Sequence, residues 1–416
     1  MLEEVTIEKM VHGGQGLATL AGGRKVFVWG ALPGEKVRVR ILKGKRSYAE
    51  AIVEEVIEPS SGRVEPRESN YLATSPWQIV TLEAENDYKQ HIVEELLVQA
   101  HVSVPGFHLM SAGDSWCYRN KMEYSFWGDE QGIHLALHNR GSHHKTIVEG
   151  SALALPAVDK AARAVVAELQ KMNIRAGDLK TIIVRATQDG HAAASLFVKP
   201  ETFPKLALPK DLQGLRVYHS NPKSPASVPT RLLQEIGDVT LRDNLLGRAF
   251  TYDVDSFFQV NLPIFEQALQ RIKDYSDADD LVDMYAGVGS IGLSVARRAV
   301  ELIELDPATA AMARVNAAAS GLQANVIETS TEKALEYIVN DKPVIFDPPR
   351  AGLHKDVIRR VLDVRPPHIL YLSCNPATHA RDLAALQGVY TVEHFEAFNF
   401  FPHTPHIETL AVLSLR

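Results

Sequence analysis

Asp283–Gly292, DMYAGVGSIG, sets a G-x-G-x-x-G run directly after a short apolar strand, DLVDMY, and before a helical stretch expected over Ser290 to Arg297. Glycines at this spacing let the backbone pass close beneath a ligand, and a helix amino terminus there favours partial negative charge. Working outward, the chain alternates short apolar strands with helical stretches: VELIELD, a helix over Pro307 to Ser320, ANVIETS, a further helix, PVIFDPPR, another helix, HILYLSCNP, a helix over Pro376 to Leu386, then YTVEHFEAF and ETLAVLSL. Such alternation predicts an α/β domain with a mostly parallel, doubly wound sheet. Glu304 ends the strand after the glycine loop, where a carboxylate accepts two hydrogen bonds from a ribose diol. That pattern suits a dinucleotide or S-adenosylmethionine equally.

Two downstream motifs separate these ligands. Phe346–Arg350, FDPPR, ends a strand and places Asp347 to reach a cofactor or a target base, while two prolines stiffen the loop. Oxidoreductases have no need of this motif, whereas base and protein methyltransferases commonly carry Asp/Asn-Pro-Pro at this point. Enzymes that methylate amino groups usually follow it with an aromatic residue; here Arg350 follows. The second motif is Ile369–Asp382, ILYLSCNPATHARD, which sets Cys374 at the carboxyl end of a strand, where open α/β sheets bind ligands. A thiolate exposed there is a candidate nucleophile, although a lone cysteine is more often structural.

The 416 residues are 45% hydrophobic and 23% charged, the composition of a globular protein too long for one core. MLEEVTIEKM lacks the apolar stretch of a signal peptide, and no apolar run is long enough to span a membrane. Two cysteines, Cys117 and Cys374, are too few for a disulfide framework, so a reducing cytoplasm is expected. A net charge of −7 gives no general support for nucleic-acid binding, but Lys36–Arg46, KVRVRILKGKR, is locally basic. Its alternation puts Arg38 and Arg40 on one solvated face, either to meet RNA or to protect an edge strand.

Residues 1–58 read as a small β-barrel of the oligonucleotide-binding type, 59–76 as a linker, 77–250 as an α+β middle module and 251–416 as the α/β domain. Within the middle module an amphipathic helix is expected over Glu83 to Val98 and another over Ala157 to Met172. Arg119 and Lys121 in YRNK are candidate RNA contacts, with an ordinary surface role as the alternative. His403 and His406 lack the cysteine or carboxylate cluster that would complete a metal site, so no metal is expected.

The order HGGQGLA, VFVWGALPGEKVRVRI and AIVEEVIEPS resembles the TRAM domain, an RNA-binding barrel. FFQVN, DMYAGVGSIGL, ELDPATAAMARVNAAASGL, FDPPRAG, YLSCNPATHARDL and FPHTPHIETLAVL together resemble the RNA uracil-5-methyltransferase family, over nearly the whole chain. The resemblance implies a Rossmann-like methyltransferase domain behind a TRAM barrel and a middle module. It implies S-adenosylmethionine held by Gln259, Tyr285, Ser290, Glu304 and Asp347, with Gly287 and Gly289 shaping the loop. Cys374 would add to C6 of a uracil and Glu408 in PHIETL would later remove the C5 proton. Arg350 and Asp347 would meet the uracil O4 and N3 edge, or Arg350 a phosphate, and the target base would leave its stack. Structured RNA, tRNA or rRNA, is the implied partner and a monomer the family-like state.

The chain departs from the family in one respect. Many members carry four cysteines for a [4Fe-4S] cluster, three after the barrel and one in the middle module. Here those regions read RVEPRESNYLATSPWQIV and VEGSALALP, so no cluster is expected. Two other readings compete: a non-catalytic RNA-binding or RNA-folding protein on the same scaffold, and an NAD(P)-dependent oxidoreductase supported by the glycine run alone.

Overall fold

The computed structural model describes residues 2–140, 144–224, 226–276 and 278–416. The chain divides into two compact units, one of Met1–Ser115, Asn139–Ser142 and Asp347–Arg416, the other of Trp116–His138 and His143–Phe346.

The first unit opens with a closed barrel of β1 (Leu2–Met10), β2 (Gly16–Thr19), β3 (Lys25–Trp29), β4 (Lys36–Gly44) and β5 (Tyr48–Glu58), in the order β1-β2-β3-β5-β4. Alternation aims Val5, Ile7, Val26, Val28, Val37 and Val39 inward, each under 5% exposed. Burying such side chains contributes about 1.5–3 kcal/mol apiece, which offsets the cost of ordering so short a segment. Because β4 pairs with both β1 and β5, it is no edge strand, and the protective reading of its arginines fails. Arg38 instead bonds Glu4 at 2.9 Å and also Glu55, and Arg40 meets Glu54 at 2.5 Å. The basic face read from KVRVRILKGKR is therefore lined by carboxylates of the neighbouring strands.

The segment expected as a linker is anchored. Buried Glu35 accepts from Arg63 Nε at 2.5 Å, Arg63 Nη2 at 2.8 Å and the Ser60 amide at 3.1 Å. α1 (Leu82–Gln99) follows, capped by Thr81, then β6 (Leu109–Ser111).

The second unit begins with a seven-stranded sheet, β13-β12-β11-β10-β7-β8-β9. Its strands are β7 (Lys121–Asp129), β8 (Gly132–His138), β9 (Lys145–Ile147), β10 (Leu179–Ala186), β11 (Ala192–Val198), β12 (Gly214–His219) and β13 (Arg231–Gly237). α2 (Pro156–Lys171) buries Val158, Ala161, Ala162, Val165 and Leu169, a stripe at helical spacing. A hairpin of β14 (Thr240–Leu245) and β15 (Arg248–Asp253) leads to α3 (Leu262–Tyr275). The boundary expected between 250 and 251 thus falls inside β15, whose pairing with β14 runs from Leu245↔Arg248 to Thr240↔Asp253.

β16 (Asp280–Asp283), α4 (Gly292–Val295), β17 (Ala299–Glu304), α5 (Pro307–Ser320), β18 (Gln323–Glu328) and β19 (Val344–Phe346) complete this unit. β16 pairs in parallel with β17 on one side and β19 on the other, and β17 with β18. Strand order therefore reverses at β16, the position at which doubly wound sheets bind nucleotides. α4 is only four residues long, because Ala296 turns to extended backbone, φ −59° and ψ 141°. The longer helix expected from Ser290 to Arg297 is absent, and so is the dipole it would have aimed at a ligand.

The last seventy residues return to the first unit: α6 (Lys355–Val364), β20 (His368–Ser373), α7 (Pro376–Leu386), β21 (Tyr390–Asn399) and β22 (Glu408–Leu415). β22 pairs antiparallel with β20 and β21, and β21 pairs in parallel with β6.

Candidate active site

In the first unit the FDPPR loop and the SCNP loop hold each other. Cys374 is half-buried just beyond β20. Its neighbour Asn375 caps α7 by accepting from the Ala377 amide and donates Nδ2 to the Arg350 carbonyl at 2.9 Å; Thr378 Oγ1 donates to the same carbonyl at 3.2 Å. Asp382, fully buried, accepts from the Leu353 amide and the Tyr371 hydroxyl, both at 2.8 Å. Gly352, at φ +77°, lies so close that a Cβ would come within 2.5 Å of Asp382 Oδ2. The FDPPR loop and the SCNP loop are thus one rigid piece.

Four charged or ionisable groups converge on that piece. Burial pushes the Cys374 thiol up to about 12, Glu408 and Asp347 push in the same direction, and Arg350 opposes them. Glu408 opens β22, is 3% exposed, and is held well above the usual carboxylate range by burial and then by Asp347, again against Arg350. Asp347, expected at the cofactor, therefore lies electrostatically with the thiol and the second carboxyl. Arg350 Nη2 also lies 3.3 Å from His406 Nδ1. Among the described residues no group of three or more His, Cys, Asp or Glu side chains is arranged to hold a metal.

Residues that sequence reasoning passed over support this cluster. The loop preceding Glu408 is fastened by buried Glu85 and Lys89 of α1: the His403 amide donates to Glu85 at 2.8 Å and 3.0 Å, and Lys89 donates to Asn399 Oδ1 at 2.6 Å and the Phe401 carbonyl at 3.1 Å. Trp77 donates its indole N–H to the Gly14 carbonyl at 3.0 Å and its amide to the His403 carbonyl at 3.1 Å. A Cβ on Gly14 would sit 2.5 Å from Pro405, so the first barrel turn packs against the stretch that leads to Glu408. His12 of that turn hydrogen-bonds Asn375 and feels the Arg350 charge.

The second unit carries the glycine loop. Gly287 and Gly289 have φ +55° and +86°, open to glycine without strain. A Cβ on Gly287 would meet nothing within 4 Å, so this backbone faces open space that a ligand can fill. Glu304 accepts from the Gly287 amide at 2.9 Å and the Asp306 amide at 2.7 Å, which fixes its carboxylate and leaves lone pairs for a diol. Asp283, unnoticed in the sequence, is fully buried and accepts from the Gly292 amide at 2.9 Å. Burial pushes it up to about 7, Glu304 adds to this, and the Gly292 and Tyr285 amides oppose it.

Gln259 is held by backbone rather than by its own side chain. Asn120 Nδ2 donates to the Gln259 carbonyl at 2.9 Å, while buried Arg185 donates to the Ser256 and Phe258 carbonyls at 3.1 Å and 3.2 Å. Within YRNK, Asn120 thus fixes the Gln259 backbone. Lys121, expected at RNA, is mostly buried, and that burial, followed by Arg185, takes it down to about 8. Tyr285 is partly buried at 6.5 Å from the Phe346 ring, and Ser290 is partly buried as well.

Gly292 gives this loop a sharp test. A Cβ there would come within 2.8 Å of Leu302 and 3.0 Å of Asp283 Oδ2. Overpacking of this kind costs about 1–3 kcal/mol. The Gly292→Ala protein should bind S-adenosylmethionine about tenfold more weakly in equilibrium dialysis; unchanged affinity would mean the loop tolerates a wider turn.

Residues 333–416, which hold Cys374 and Glu408, match the family model described as tRNA (Uracil-5-)-methyltransferase, and residues 3–53 match that of the TRAM domain. Over those two stretches the chain is similar to RNA uracil-5-methyltransferases and to TRAM-domain proteins. The open glycine loop with Glu304 beside it suits S-adenosylmethionine. Relatives of the chain include proteins named as uncharacterized RNA methyltransferases: one of Lactiplantibacillus plantarum is 29% identical over 99% of this chain and 96% of its own, and one of Thermotoga maritima 27% identical over 99% of both. The fold is that of Pyrococcus abyssi tRNA (uracil-54, C5)-methyltransferase, solved with S-adenosyl-L-homocysteine: TM-score 0.81, 21% identity, 99% of this chain and 100% of that one.

Proposed function

We propose that this methyltransferase acts on C5 of a uridine in structured RNA, tRNA or rRNA, through a covalent adduct of Cys374. The observation that carries the reading is the convergence of Cys374, Glu408, Asp347 and Arg350 on one rigid loop pair. C5 of uracil is too weak a nucleophile to take a methyl group unaided. Addition of the Cys374 thiolate forms an S–C6 bond and shifts the C5–C6 electron pair into an enolate over C5 and O4. S-Adenosylmethionine, when bound, supplies the electrophilic methyl that C5 takes. Glu408 then removes the C5 proton, the C5–C6 double bond reforms, the S–C6 bond breaks and the thiolate leaves. Arg350 is the cation that favours both ionised groups, and it or Asp347 meets the uracil O4 and N3 edge.

A further role is proposed for Gln259, Tyr285, Ser290 and Glu304, with Gly287 and Gly289, as the cradle of the cofactor. Among the described residues no helix is long and apolar enough to cross a membrane, and we place the protein in the cytoplasm as a monomer.

RNA carrying 5-tritiated uridine, drawn from cells lacking this protein, provides the test. Wild type with S-adenosylmethionine should release tritium, and Cys374→Ala should lose release by at least about 10³-fold while binding the cofactor normally. Because the thiol is pushed up to about 12, release should climb with pH across the neutral range. No release by wild type that binds S-adenosylmethionine would bring forward the non-catalytic RNA-binding reading.

A further inference from the structure

The seven-stranded sheet of the second unit has two unlike faces. Tyr124, Leu135 and Ile182 are buried on the α2 side; Tyr124 donates its hydroxyl to Asp159 of that helix at 2.5 Å. The residues alternating with them face the other way. Ser125 pairs with Thr181 and with Ala136, and His138 with Lys145, so Glu123, Ser125, Thr181, His138 and Lys145 share the opposite face.

On that face lies a cavity of ≈ 360 Å³ lined by Glu123, Ser125, His138, Lys145, Lys180, Thr181 and Lys199, with Leu179 and the loop residues Ala226 and Ser227. One feature of the strand pairing serves it directly. The register of β10 against β11 slips between Leu179 and Thr181, which leaves Lys180 unpaired in a bulge. Bulges re-aim side chains, and this one lets consecutive residues, Lys180 and Thr181, line the same cavity.

The charge there is unbalanced. Lys145, Lys180 and Lys199 are half-buried, and none makes an ion pair among the described residues. Their ammonium groups rest on backbone carbonyls instead: Lys145 on Phe126 at 3.1 Å, Lys199 on Gly177 at 2.8 Å, Lys180 on Asn221 at 3.2 Å and Ala226 at 2.5 Å. Glu123 is the single carboxylate against three cations. Ser125, 4% exposed, has no hydrogen-bond partner for its hydroxyl among the described residues. Partly desolvated ammonium groups and an unused hydroxyl lack the same thing, a multivalent oxyanion.

We propose that this cavity is a phosphate-binding site of the middle module that grips the RNA backbone, with Lys145, Lys180 and Lys199 as cations and Ser125 and Thr181 as hydroxyl partners. It rests on the reading of the substrate as RNA. Burial and then Lys199 take Lys145 down from its ordinary value, burial and then Lys145 do the same to His138, and an incoming phosphate relieves that pressure. Such contacts carry no sequence information; they set register and orientation of the RNA.

The test uses the full chain with Lys145→Gln/Lys199→Gln, which leaves the carbonyl contacts of Lys180 intact, beside a Lys145→Arg/Lys199→Arg control. Binding of transfer and ribosomal RNA is measured by filter retention between 50 and 200 mM salt, together with cofactor affinity. The expected result is RNA binding at least about tenfold weaker, a salt slope lower by roughly one to two, rescue by the arginine pair, and unchanged cofactor affinity. In tritium release the loss should appear in KM, with kcat held. Equal RNA affinity and slope in the glutamine variant overturns the proposal. A variant that loses only stabilisation by inorganic phosphate overturns it too, and assigns the cavity to a small phosphate compound. Weaker RNA binding in a protein whose wild type releases no tritium upholds the site and removes uridine methylation instead.

Discussion

Glu408→Gln, mixed with RNA and S-adenosylmethionine, is expected to stop with RNA covalently attached to the protein. The substitution keeps the shape of a side chain that is 3% exposed at the start of β22 and removes its capacity to take a proton. In the proposed mechanism, attack by Cys374 and transfer of the methyl do not need that capacity, whereas release of the adduct does. Turnover should fall by about 10²–10⁴-fold, the usual contribution of a general base. On a denaturing gel a slower band should carry both protein and the labelled methyl, and Cys374→Ala in the same chain should abolish it. A Glu408→Gln protein that turns over at the wild-type rate would remove Glu408 from the mechanism and leave the base among the other groups near Cys374.

The same side chain sets a pH expectation. Burial and then Asp347 hold the Glu408 carboxyl well above the usual range. The protonated form, which is useless as a base, therefore persists to higher pH than an exposed glutamate would allow. Wild-type turnover should fall on the acid side from a pH well above 4.5. Asp347→Asn removes a charge that raises Glu408, so whatever activity survives should show its acid limb displaced to lower pH.

How far the sequence reached depended on whether a feature was local. α5, expected over Pro307 to Ser320, has those bounds, because Asp306 caps it and Gly321 ends it at φ +75°. Helix α7 also spans Pro376 to Leu386 as expected, with Asn375 as its cap. Caps and breakers are written beside the elements they limit. Arg38 and Arg40 show the opposite case. Their spacing foretold a shared face, but Glu4, Glu54 and Glu55, which decide what that face offers, come from strands whose register the sequence does not state. Cys374, Glu408 and the glycine loop drew notice through their motifs. Asn120, Asp283 and Asp382 did not, since each acts by accepting from or donating to backbone outside its own element.

Lys89→Met and Glu85→Gln should each destabilise the first unit by about 3–5 kcal/mol, the cost of leaving one member of a buried pair without the other. On the sequence the two are a glutamate and a lysine four apart on a helix, a spacing that ordinarily marks a solvated pair worth about 0.3–0.5 kcal/mol. In the structure both side chains are wholly buried, 2.8 Å apart, with Asn399 Nδ2 donating to Glu85 at 3.0 Å. Burial takes the Lys89 ammonium down from its ordinary value and Glu85 opposes this, so Glu85→Gln leaves the buried ammonium without its counter-charge. The double variant should lose less than the sum of the singles, because the lone charge that makes each single costly is gone. Function should suffer separately from stability. Glu85 and Lys89 hold Asn399, Phe401 and His403, and that loop delivers Glu408. At temperatures well below unfolding, turnover in either single variant should therefore fall while cofactor affinity, assigned by the proposal to the other unit's glycine loop, is kept. Thermal and urea unfolding curves that match wild type for both singles would show that the pair is incidental, and the position of Glu408 would then rest on β22 alone.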